Sequence, residues 1–128
     1  MTKTKLTGET ALERAVARWA NSCGADYDDG AAGSIAGLMQ GGCQSGIVSE
    51  LIYYHDTLKF YAKHKKEISA LLRETMDSLG VDGPAGVFGD KWEKEDPLAD
   101  DTQNQNLLAW FAFEETARNL AGRAGIEL

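Results

Sequence analysis

Asp26, Asp28, Asp29 and Gly30 lie close enough together to suggest a calcium loop. Such a loop takes acids at alternate positions, a glycine at the sixth and a glutamate at the twelfth. Counted from Asp26, those two places hold Ala31 and Gly37. The acids read better as a helix N-terminus, where Asp28 or Asp29 caps free amides and complements the dipole. A second candidate is the loop from Gly41 to Gly46, which carries Cys43, Gln44 and Ser45 ahead of a helix. Amides at a helix N-terminus point outward and can hold an anion. A Walker loop would continue with lysine and a hydroxyl residue, but Ile47 and Val48 follow. Ser45 therefore reads as a helix cap. The Cys43 thiol could be acidified by the same helix terminus, yet nothing nearby supplies a base.

Glu50, His55 and His64 form the one histidine–carboxylate grouping. Glu50 and His55 are about 140° apart around a helix, so they cannot chelate one metal as an i, i+4 pair would. Histidines so placed read as surface residues, and neither a metal nor a cofactor is expected. A site that took a small ligand would join Cys43, Gln44, Ser45, Tyr53 and His55 with the segment around Trp92. Glu114 and Glu115 are adjacent carboxylates, but Glu114 lies four before Arg118 and reads as half of an exposed ion pair. No residue is assigned a catalytic role.

Charge is unevenly distributed. Asp90, Glu93, Glu95, Asp96, Asp100 and Asp101 crowd one stretch, diluted by Lys91 and Lys94, whereas Lys59, Lys63, Lys65, Lys66 and Arg73 crowd the stretch before it. The acids could fold over the bases and discharge both, or form an edge presented to a basic partner. Asp90, Trp92, Glu93, Glu95, Asp96 and Asp100 are the candidate partner-binding residues. Trp92, in a polar stretch, must either plug the core from outside or stand exposed as a recognition hot spot, and the plug is the favoured reading.

The elements that would position these groups are helical. Thr10 and Glu13 have capping-box spacing, and Leu12, Ala15, Val16, Trp19 and Cys23 follow on one stripe, with Gly24 read as a left-handed stop. Residues 31–40 form a short helix whose Gly33 and Gly37 could admit a close neighbour. Ile47, Leu51, Tyr54, Leu58 and Tyr61 recur at alternating four and three. The pattern pauses near Lys63–Lys66 and resumes at Ile68, Leu71, Leu72, Met76 and Leu79 before Gly80, as one bent helix or two joined ones. Residues 80–101, with Pro84 and Pro97, read as one long ordered loop. Thr102 and Gln105 repeat the capping-box spacing, and Leu107, Trp110, Phe111, Phe113, Ala117 and Leu120 fill the last helix. Trp19, Ile47, Leu51, Tyr54, Leu58, Leu71, Trp110 and Phe111 are the expected core.

The expected fold is thus all-α, a single compact domain over 1–128 with about four to five helices and a flexible tail over residues 1–8. A chain of 128 residues with 43% apolar side chains fits one folded domain. Thirteen bases against twenty acids give a net charge of −7, which argues against a sequence-independent grip on nucleic acid, so no direct nucleic-acid binding is expected. No apolar run reaches membrane length, the first residues are short and polar, and Cys23 and Cys43 stand alone. Together these place the protein in the cytoplasm, away from the membrane.

Several stretches together resemble a family of short proteins of bacteriophages, plasmids and other mobile elements, catalogued as a domain of unknown function. They are 41–46, Tyr53-Tyr54-His55-Asp56-Thr57 with Phe60-Tyr61, Gly89-Asp90-Lys91-Trp92, and 101–111 from Asp101 to Phe111. The resemblance runs from about Asp26 to the C-terminus and is least at the first helix. It brings no catalytic residues, and it implies a bacterial host cell and an accessory role. The leading expectation is an acidic protein-binding module that inhibits a host defence system, of the anti-CRISPR or anti-restriction type. Its partner would be a host protein or protein–nucleic acid complex with a basic surface. The alternative is a small enzyme or ligand-binding domain at Cys43, Tyr53, His55 and Trp92.

Overall fold

A computed structural model describes residues 5–25, 28–39, 56–92 and 102–126. Among these the fold is all-α, with six α-helices and no strand. Contacts group the chain into two compact units, Met1–Tyr54 with Phe113–Leu128, and His55–Ala112.

In the first unit, α1 (Ala11–Gly24) opens on Thr10, whose hydroxyl accepts the Glu13 N–H at 3.2 Å. The Glu13 carboxylate accepts the Glu9 N–H at 2.9 Å, so the anticipated box forms and reaches one residue further back. Burial works to raise the Glu13 pKa, but the Arg123 guanidinium and the Glu9 and Thr10 amides outweigh it, and the net shift is downward. Leu12, Val16 and Trp19 of the expected stripe are buried, Ala15 is half-buried, and Ala20 is buried beside them. Leu6 is buried as well, although its position falls in the expected tail. Its N–H donates to Asn21 Oδ1 at 2.8 Å, and Asn21 Nδ2 donates back to its carbonyl at 2.9 Å.

Helix α2 (Ala31–Met39) packs on α1, with Ala31, Ser34 and Ile35 buried. The Ser34 hydroxyl donates to the Ala20 carbonyl at 2.8 Å across this contact. Gly24 is not a left-handed stop: positive φ occurs at Gly30, Gly80, Gly89 and Gly125 instead. A side chain at Gly24 would collide with the backbone of Gly30 and Ala31, so the glycine is there for close approach. Asp28 and Asp29 lie exposed in the turn ahead of α2, whose first residue is Ala31.

The second unit holds α3 (Asp56–Lys63), α4 (Lys65–Leu79) and α5 (Ala85–Phe88), with a 3₁₀ turn over Gly89–Lys91. The pause near Lys63–Lys66 is a local bend at His64 (φ −113°, ψ 19°). His64 N–H bonds the Phe60 and Tyr61 carbonyls at 3.1 and 3.2 Å and closes α3, and Ile68 N–H bonds the His64 carbonyl at 2.9 Å and opens α4, so two helices meet there. Gly80, at φ 70°, ends α4 in a Schellman arrangement in which Val81 N–H bonds the Met76 carbonyl at 3.1 Å. The first part of the stretch expected to be loop is therefore helical.

Helix α6 (Thr102–Arg123) contributes to both units. Its buried face carries Leu108, Ala109, Ala112, Phe113, Thr116, Ala117, Leu120 and Ala121. Trp110 and Phe111, expected at the centre, are half-buried on the flanks, as is Leu71 on α4. Alanines let the helix seat closely, and the two large rings then fit beside the contact better than within it. Phe113 meets Trp19 edge-on at 5.1 Å, and Arg123 pairs with Glu13 at 2.5 Å. Of the other expected core residues, Ile47, Leu51 and Tyr54 and the Leu58 side chain lie outside the described residues.

Candidate functional site

The best-defined candidate is the root of the acidic stretch. Pro84 begins the turn that becomes α5, with Val87 and Phe88 N–H groups bonding its carbonyl at 2.9 and 3.0 Å. That turn and the 3₁₀ turn after it bring Phe88 and Trp92 together, stacked at 5.5 Å and 14°. Phe111 of α6 stands edge-on to Phe88 at 5.6 Å and 87°. Trp92 is 5% exposed, so the structure gives the core plug, and the indole is not displayed as a surface anchor. Asp90, between the two rings in sequence, is exposed. The aromatic cluster thus pins the chain at Trp92, directly before the acids. Glu93, Glu95, Asp96, Asp100 and Asp101 lie outside the described residues, as do Cys43, Gln44, Ser45, Glu50, Tyr53 and His55 of the alternative site.

His64 departs from the sequence reading. It is not a surface residue but 4% exposed, tilted against the Phe60 ring at 4.9 Å. Its Nδ1 has no hydrogen-bond partner among the described residues. Burial pushes its pKa down; Glu67 opposes that shift and Lys63 adds to it. The signal was present in the sequence, because Phe60, His64, Ile68 and Leu72 repeat every four residues, and all four are buried. Among the described residues, no three histidine, cysteine or acidic side chains come close enough to hold a metal ion.

The basic stretch lies on the outer surface of α3 and α4. Lys59, Lys63, Lys65, Lys66 and Arg73 are all exposed on α3 and α4. No carboxylate among the described residues pairs with Lys63, Lys65, Lys66 or Arg73. The anticipated Glu114–Arg118 pair is not formed either; Arg123 pairs with Glu13. No described helix is long and apolar enough to cross a membrane.

Comparison with known proteins yields one relationship. A family profile described as "Domain of unknown function (DUF7222)" matches residues 9–127. No curated protein and no solved structure matches the chain.

Proposed function

Since the chain belongs to the DUF7222 family, a domain of unknown function, we propose from its own residues that it is a protein-binding module that engages a basic partner through its acidic edge. The observation that supports this is the pinned root of that edge. Trp92 is buried against Phe88, Asp90 is exposed beside it, and four more acids follow within the next eight positions, at Glu93, Glu95, Asp96 and Asp100. A charged segment tethered at a fixed point loses less freedom on binding than one tethered loosely, so more of its electrostatic attraction is retained. Trp92 acts in this reading as a positioning residue. We place the module in the bacterial cytoplasm as an accessory protein of a phage or other mobile element. Its partner there is a basic surface on a host defence protein or nucleoprotein, whose action it inhibits.

The test is a capture experiment from host lysate with the full chain and with Glu93→Lys/Glu95→Lys, followed by association kinetics on the protein identified. Binding should slow as salt rises, since the Debye length shrinks from about 10 Å at 0.1 M to about 3 Å at 1 M. The double variant should bind more weakly at an unchanged melting temperature. Equal capture by both chains, or an affinity that ignores salt, would overturn the proposal.

A further inference from the structure

A single residue joins α3, which ends at Lys63, to α4, which begins at Lys65. That residue is His64, and its backbone serves both helices: its N–H bonds the Phe60 and Tyr61 carbonyls, and its carbonyl accepts the Ile68 N–H. Its side chain makes no capping bond to α4. The imidazole is instead 4% exposed and tilted at 58° against the Phe60 ring, 4.9 Å away. Tyr61 before it and Ile68 after it are buried as well. Nδ1 is shut off from water and has no hydrogen-bond partner among the described residues. A neutral ring can bear that loss, but an imidazolium has two N–H donors to satisfy and a charge to hydrate.

Little among the described residues of this unit could neutralise such a charge. Lys63, Lys65 and Lys66 beside it are exposed cations, as is Lys59 on α3, and Tyr61 is a phenol whose pKa burial raises. Glu67, half-buried in the first turn of α4, is the nearest acid in the sequence. Arg73, Glu74 and Asp77 begin nine residues along α4, about 13 Å at 1.5 Å per residue, where 0.15 M salt largely screens them. Helix α5 and residues 102–112 of α6 carry no ionisable side chain, and Asp82 ahead of α5 and Asp90 after it are exposed. We propose that the α3–α4 joint is a proton-operated hinge, locked while neutral His64 lies buried against Phe60 and opened when the protonated ring turns out to water and lets the two helices part. Burial holds the folded pKa of His64 down, with Glu67 opposing and Lys63 adding to the shift. In the open joint the ring titrates near its ordinary value of about 6.5. The lock is therefore complete above about pH 6.5 and is lost as pH falls through the lowered folded value.

Two NMR measurements on the full chain test this. The sequence has two histidines, so a titration of the imidazole carbons follows both, and the signal missing from His64→Leu is that of His64. Amide hydrogen exchange over residues 60–72, corrected for the intrinsic effect of pH, follows the joint. Between pH 6.5 and the lower midpoint of His64, the opening constant at the joint should rise about tenfold per pH unit, because opening takes up one proton. Amides of α1 should keep their protection over the same range, and the joint of His64→Leu should stay closed. Three results would overturn the hinge: a His64 midpoint at or above that of a free imidazole, joint protection that does not change down to that midpoint, or equal loss in His64→Leu. Loss of protection in α1 in step with the joint would overturn it too, since that is global unfolding. Should His64→Leu fail to fold, the wild-type chain still decides, with His55→Ala used to assign the two signals. None of these readouts depends on Glu93 or Glu95, so this test and that of the acidic edge fail separately.

Discussion

A buried imidazole beside a phenyl ring is a pH-sensitive element whatever else the protein does. In the unfolded chain His64 takes up a proton near pH 6.5, whereas in the fold burial holds its pKa below that value. Stability from this residue is therefore complete above the unfolded pKa and is lost as pH falls through the lowered folded pKa. Melting curves between roughly pH 7 and pH 5 should show that loss in the wild-type chain and a flatter response in His64→Leu. Parallel curves would exclude His64 as the source. Asn21 offers a second test at this scale. It satisfies both backbone groups of Leu6, and Asn21→Ala should cost about 1–3 kcal/mol in chemical denaturation, since a hydrogen bond left unmade is expensive where water is excluded.

Glycines show how an element's role depends on what lies next to it. Replacing a helical glycine by alanine normally stabilises by up to about 1 kcal/mol, because the unfolded chain loses freedom. Gly122 on α6 has open space where a side chain would go, so Gly122→Ala should raise the melting temperature. Gly24 on α1 would press a methyl group into the backbone of Gly30 and Ala31, with no flexible side chain able to yield. Gly24→Ala should therefore destabilise by about 1–3 kcal/mol, the usual cost of overpacking. Both variants measured in one denaturation series check the argument, and a stabilised Gly24→Ala would mean that α1 and α2 can part at little cost.

Over the whole molecule, the question is whether the two charged stretches serve each other or outside partners. If the acids discharged the basic stretch of α3 and α4 within one chain, reversing Lys63 and Lys66 to glutamate would break those pairs and lower the melting temperature. If both stretches face outside partners, the melting temperature at low salt should be unchanged. Exposed ion pairs contribute at most about 1 kcal/mol each, so the comparison needs low ionic strength to be decisive. A clear drop would assign the basic stretch to internal neutralisation.

The all-α architecture, the Thr10–Glu13 cap, the stop at Gly80 and the bend between α3 and α4 were legible in the residues alone. Each depends on side chains three or four positions apart, and that separation is the same in the sequence and in a helix. The even distribution of apolar residues around α6 hid its buried face, and contact with α1, through Trp19 and Phe113, identifies one side of it. Likewise Gly24 makes room for a neighbour several residues on, Leu6 is held by a side chain fifteen residues away, and Phe88, which stacks on Trp92, meets Phe111 from α6. Those outcomes depend on which distant surfaces meet, and a pattern of local spacing carries no record of that. For the acidic stretch, sequence supplied the charges, while the stacking of Phe88 on Trp92 fixed the residue directly before it.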